Sequence, residues 1–75
     1  MIDRNLFSER LRQLRTAKGL SQKALAEDCG MLIQRVNNWE KGISLPQLDV
    51  ADSLATYFDV SIDYLVGRSD EAGRR

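Results

Sequence analysis

Residues 21–42 read SQKALAEDCGMLIQRVNNWEKG, and the order of caps, breakers and apolar positions within them decides the fold. Ser21 is a good N-cap, because its hydroxyl oxygen accepts a hydrogen bond from a backbone N–H of the first helical turn. Ala24, Leu25 and Cys29 supply the inner positions of the helix that follows. Gly30 ends that helix, since glycine takes the left-handed conformation at little steric cost. A further helix is predicted from Leu32 to Lys41, ended by Gly42. Asp28-Cys29-Gly30-Met31 is then a short, glycine-bearing turn between two helices, as in a helix-turn-helix unit and also in many other helical bundles.

Successive helical residues are turned by roughly 100°. On that wheel Leu32, Val36, Trp39 and Glu40 share one arc, predicted to face inward, while Ile33, Gln34, Asn37, Asn38 and Lys41 share the opposite one. Arg35 lies on the flank. The outward arc is rich in uncharged amides, whereas an ordinary solvated face carries Glu and Lys. Gln and Asn pair bidentately with adenine in the major groove, and Ile33 suits a thymine methyl group. Asparagine is a mediocre helix former, so two adjacent ones trade helix stability for another purpose. From the wheel alone, a merely solvated amide face stands as an equal alternative.

Outward from this unit, apolar residues recur at spacings of three and four, and no period-two run persists. Phe7, Leu11 and Leu14 form the inner stripe of a first helix, predicted over Asn5–Lys18 and stopped by Gly19. Pro46 suits the first turn of a fourth helix with Ala51, Leu54, Ala55 and Phe58 inside. Ser61 caps a short fifth helix holding Ile62, Leu65 and Val66, closed by Gly67. The prediction is an all-α, compact five-helix domain over residues 1–67, followed by a polar, frayed tail over 68–75.

Seventy-five residues make one domain. A chain so short buries only about 60% of its unfolded surface, which leaves little room for a deep catalytic cleft. There is no histidine, no glycine-rich phosphate loop and no pair of carboxylates held near a nucleophile, so no enzyme is expected. One cysteine and no histidine exclude an internal disulfide and make a metal cage or other cofactor unexpected. Cys29 reads as a small buried apolar residue. Asp49, Asp52, Asp59 and Asp63 lie along solvated helical surfaces without a calcium-loop pattern. No signal peptide or membrane-length apolar run is present, so an intracellular, cytoplasmic protein with no membrane partner is expected.

Eleven basic and eleven acidic residues cancel, but they are unevenly spread. Residues 15–42 hold five basic and three acidic groups, whereas residues 43–66 hold four aspartates and no Lys or Arg. One side of the molecule is thereby suited to phosphates while the other faces away.

Over Phe7–Gly67 the sequence resembles the Cro/C1-type (Xre) helix-turn-helix family. The resemblance is carried by Arg10-Leu11-Arg12-Gln13-Leu14-Arg15, by Lys18-Gly19-Leu20-Ser21-Gln22-Lys23-Ala24-Leu25-Ala26, by Gln34-Arg35-Val36-Asn37-Asn38-Trp39-Glu40-Lys41-Gly42 and by Val60-Ser61-Ile62-Asp63-Tyr64-Leu65. It implies a lambda-repressor-like fold and a bacterial or phage-type transcriptional regulator, a repressor. Such a protein binds double-stranded DNA sequence-specifically, as a homodimer on a two-fold-related operator. Ile33, Gln34 and Asn38 match the family's base-reading positions, with Asn37 exposed beside them. Gln22 matches a phosphate contact that also buttresses the recognition helix. Arg35 and Lys41, with Lys23 and Ser21, are placed for phosphates, which position a protein without specifying sequence. Arg15 and Glu40 match an internal ion pair between the first and third helices.

The chain departs from the family at two places. Leu32 stands where a Ser or Thr usually caps the recognition helix, and Ile43-Ser44-Leu45 stands where basic residues often follow it. Each missing phosphate contact lowers the salt slope of binding by nearly one, which implies modest affinity per monomer and reliance on dimerisation. Tyr64 and Val66, with Tyr57 and Val60, are the sequence's candidates for the dimer surface, while each tyrosine taken alone reads first as a half-buried core residue with a wet hydroxyl. The competing function is a protein-interaction module or antitoxin-type partner-binding protein on the same fold.

Overall fold

The caps written into the sequence set where each helix begins and ends. Residues 2–73 are described by a computed structural model, and their regular structure is entirely helical. The elements are α1 (Arg4–Ala17), α2 (Gln22–Asp28), α3 (Ile33–Glu40), α4 (Leu48–Phe58) and α5 (Ile62–Leu65). Ser21 Oγ accepts from the Ala24 N–H at 3.0 Å, and Ser61 Oγ accepts from the Tyr64 N–H at 3.0 Å. Asp3 caps α1 in the same way, accepting from the Leu6 N–H, so this helix starts one residue before the predicted Asn5. At the end of α2, Gly30 takes φ +67°, letting the Met31 N–H reach the Ala26 carbonyl at 2.9 Å. α4 closes likewise on Asp59, whose φ of +57° is tolerated by a short polar side chain.

The helices enclose one core. Phe7 and Leu11 from α1, Leu25 from α2, Val36 from α3, Leu54 from α4 and Leu65 from α5 are fully buried. Side chains of this size contribute about 1.5–3 kcal/mol each when removed from water. Trp39, at 3% exposure, joins them and anchors α3, which packs chiefly on α2 and α1. Phe58, expected inside, is half-buried and meets Tyr57 edge-to-face at 5.0 Å. Cys29 is also half-buried against this core. That partial burial, aided by the nearby Asp28 charge, pushes its thiol pKa up.

Three further boundaries differ from the sequence prediction. α3 runs from Ile33 to Glu40, with Leu32 and Lys41 as its caps. Leu32 is extended (φ −78°, ψ 138°), so the helical wheel does not govern it, and it is 71% exposed rather than inward. Pro46 stands ahead of α4 rather than in its first turn: the chain stays extended through Gln47, which is the N-cap. The segment after Gly67 is held rather than frayed. The Arg68 N–H donates to the Asp63 carbonyl at 2.7 Å, and the Ser61 N–H donates to the Ala72 carbonyl at 3.0 Å. Arg74 and Arg75 of the expected tail lie outside the described residues, as does Met1 of the expected domain.

Arg10 explains the held segment. It is buried, its guanidinium sits 4.0 Å over the Tyr64 ring, and it donates to the carbonyls of Tyr64 and Ser69 and to Asp70. A buried guanidinium must fill its donors, and the carbonyls of this returning segment are the acceptors in reach.

Candidate nucleic-acid interface

The site grows from the α2–α3 crossing. Glu40, on the last turn of α3, is 6% exposed, and burying a carboxylate requires a partner. Arg15 of α1 supplies it: Nε meets Glu40 Oε2 at 2.6 Å and Nη2 meets Oε1 at 2.9 Å, a two-pronged pair. Arg15 Nη1 also donates to the Leu20 carbonyl at 2.8 Å, fixing the turn that leads into α2. The hydrogen bond to Glu40 outweighs the desolvation opposing it and raises the guanidinium pKa above its already high ordinary value. Arg12 adds a long donor contact, 3.4 Å, to the Glu40 carbonyl.

Gln22, the first residue of α2, is half-buried beside this pair. Its Nε2 donates to Glu40 Oε1 at 3.1 Å, and its Oε1 accepts from Asn37 Nδ2 at 3.2 Å. Asn37 is therefore half-buried and tied to α2, not the freely exposed amide of the helical wheel. The other amides of α3 stand further out. Gln34 is exposed, Asn38 half-buried, and a 3.3 Å hydrogen bond runs from Gln34 Nε2 to Asn38 Oδ1. Ile33 is 47% exposed at the start of the helix.

The cations and the cap fall around this face. Lys23 is exposed on α2, Arg35 on α3, and Lys41 at the C-cap of α3. Among the described residues none of the three forms an ion pair; the pairs present are Arg10–Asp70 and Arg15–Glu40. Ser21 is exposed, with its hydroxyl oxygen already accepting the capping hydrogen bond. Asp49, Asp52, Asp59 and Asp63 are exposed on or beside α4 and α5. Among the described residues no group of three or more acidic or cysteine side chains is arranged to hold a metal.

The dimer candidates read from sequence are not an open patch. Val60 and Val66 are buried core residues, Tyr64 lies under Arg10, and the Tyr57 hydroxyl donates to Asp28 Oδ2 at 2.6 Å. Exposed apolar surface lies elsewhere: Leu48 at 78% and Ile2 at 49% flank a cleft of about 210 Å³ that also includes Leu45, Pro46 and Ile62. Sequence reasoning also missed Arg10. A usable signal was present, since Arg10 follows Phe7 by three residues and precedes Leu14 by four, on the core stripe of α1.

Two helices crossing through a Gly30 turn, the second with a core face and an amide-bearing outer face, define a helix-turn-helix protein. Residues 11–65 match the family model described as Helix-turn-helix, and the chain belongs to that Cro/C1-type family. It is 38% identical over 66 residues to the uncharacterized HTH-type transcriptional regulator YobD of Bacillus subtilis (strain 168), covering 88% of this chain and 59% of that protein. It is 32% identical over 65 residues to the cryptic phage CTXphi transcriptional repressor RstR of Vibrio cholerae, covering 87% and 59%. The chain spans between 29% and 59% of the length of the curated relatives it matches. Among solved structures, the restriction-modification controller protein C.AhdI from Aeromonas hydrophila superposes with a TM-score of 0.75 at 41% identity, covering 84% of this chain and 96% of that one. The SOS-response transcriptional repressor LexA from Eubacterium rectale gives 0.79 at 30% identity, covering 84% and 67%. Among the described residues no helix is long and apolar enough to cross a membrane.

Proposed function

We propose that this chain is a sequence-specific, double-stranded DNA-binding transcriptional regulator, acting as a repressor, with α3 as its major-groove probe. The observation that carries this is the division of α3 into a buried anchor and an amide face. Val36, Trp39 and Glu40 hold the helix, while Gln34, Asn38 and Ile33 stand on its outer side, the two amides bonded only to each other. In this role Gln34 and Asn38 read base edges and Ile33 meets a thymine methyl group. Lys23, Arg35 and Lys41, with Ser21 and Gln22 at the start of α2, approach phosphates and set the docking register. No catalytic step and no cofactor enters the role.

The role includes a homodimer on a two-fold-related operator. The longest extent of the molecule is 27 Å, short of the ~34 Å that separates successive major grooves, so a two-fold operator needs two copies. The exposed apolar side chains of Leu48 and Ile2 are the surface we assign to the second copy.

Fluorescence-anisotropy titration of the chain against duplex DNA at rising salt tests the proposal. Three phosphate-directed cations give a log–log slope near −3 per chain, at about one unit per contact. Arg35→Ala lowers that slope by about one without altering base preference, whereas Gln34→Ala alters preference and leaves the slope. Absence of binding at low salt overturns the proposal and favours the protein-interaction role.

A further inference from the structure

The side chains that tie α2 to α3 impose a direction on the hydrogen bonds of the outer face. Glu40, ionised and paired with Arg15, accepts hydrogen bonds and donates none. The Gln22 amide that meets Glu40 Oε1 at 3.1 Å must therefore turn its Nε2 inward. Its Oε1 is then the atom facing Asn37, so Asn37 must offer its Nδ2, at 3.2 Å. Reversing either amide sets two acceptors or two donors face to face. With one Nδ2 hydrogen engaged by Gln22 the amide cannot reverse, and Asn37 Oδ1, on its other side, has no protein donor among the described residues. The Gln34–Asn38 bond is different: it has no charged end, so those two amides can reverse together.

We infer that Asn37 is a specificity-determining residue presenting an acceptor to an exocyclic amino group, and that Gln22 is the positioning residue that sets this sense. The inference rests on α3 reading the major groove. There, adenine N6 and cytosine N4 are donors, while guanine O6 and thymine O4 are acceptors. Every base pair carries one amino group in the major groove, on one strand or the other. A fixed acceptor therefore selects adenine or cytosine over guanine or thymine at one position of one strand. An untethered asparagine flips its amide and tolerates either.

Selection of bound duplexes from a random pool tests this with the wild-type chain, Gln22→Ala, Asn37→Ala and the double variant. Wild type should enrich adenine or cytosine at one position. Each single variant should relax that position to all four bases; Asn37→Ala should weaken binding to the preferred sequence roughly fivefold, Gln22→Ala by more because it also removes a phosphate approach, and the double variant should lose no more than Gln22→Ala. Gln22→Ala leaves the Arg15–Glu40 pair intact, so the chain should fold. In the free protein its Asn37 side-chain amide protons should exchange with water faster than in wild type. Additive losses, guanine or thymine enrichment, or unchanged selectivity in Gln22→Ala would overturn the Gln22–Asn37 coupling alone. A wild-type chain that binds no duplex overturns the α3 role and this inference with it.

Discussion

At the residue scale the Arg15–Glu40 pair is asymmetric, and its two halves should fail differently. The Glu40 side chain is 4% exposed and that of Arg15 13% exposed. Arg15→Ala strands a buried carboxylate and is expected to cost about 3–5 kcal/mol in chemical denaturation. Glu40→Ala should cost less, because the guanidinium keeps the Leu20 carbonyl and some water. Equal midpoints for wild type and Glu40→Ala would refute any stabilising role for the pair. Tyr57 gives a second residue-scale test. Its hydrogen bond to Asp28, chiefly, and then burial hold the phenol pKa up at about 12, against an ordinary 10.0. A folded pKa raised in this way adds stability below pH 10 that is lost as pH climbs toward 12. In Tyr64→Phe, where Tyr57 is the sole tyrosine, phenolate absorbance should rise with a midpoint near 12; a midpoint near 10 would discount the Asp28 bond.

The elements differ in how well their ends are made. α3 begins without a side-chain capping bond, because Leu32 has no oxygen to offer. Leu32 is also exposed, so little packing is lost on changing it. Leu32→Ser should therefore raise the denaturation midpoint, corresponding to about 1 kcal/mol; a fall would show that the leucine contributes packing of its own. Helix ends test the opposite effect. Gly30 and Gly67 both have positive φ, but a Cβ at Gly30 meets nothing within 4 Å, whereas one at Gly67 would lie 3.1 Å from Asp3 Cβ and 3.2 Å from Leu6 Cδ2. Gly30→Ala is expected to cost about 1–2 kcal/mol from backbone strain alone. Gly67→Ala should cost more, since overpacking against the start of α1 adds to that strain.

At the scale of the whole molecule, the proposed dimer has a second copy cover Leu48 and Ile2. Leu48→Glu should therefore shift the chain toward monomer in sedimentation velocity and weaken operator binding while leaving the thermal midpoint near wild type. An unchanged sedimentation coefficient would remove this face from the dimer. The charge layout is consistent with this orientation, with Lys23, Arg35 and Lys41 on the α2–α3 side and four exposed aspartates around α4 and α5. The Arg10 clamp also acts at this scale, joining α1 to residues 64–70 across the length of the chain.

Five helices, their order and the glycine turn at Gly30 were legible in the residues, because caps, breakers and 3.6-residue periodicity act locally and need no partner to be recognised. The inward placement of Val36, Trp39 and Glu40 followed from the same periodicity. Where local rules stopped, so did the legibility. Leu32 was assigned to the core by a wheel that ceases to apply at an extended cap. The polar residues after Gly67 read as frayed, since nothing local reveals that a buried Arg10 needs their carbonyls. Asn37 looked free because its partner, Gln22, lies fifteen residues away on another helix. The sequence alone thus determined which segments are helical and which face of α3 carries amides. Only the tertiary structure decided which of those amides is tethered and with what polarity, because a hydrogen-bond chain from Arg15 through Glu40 and Gln22 exists only once three helices are packed together.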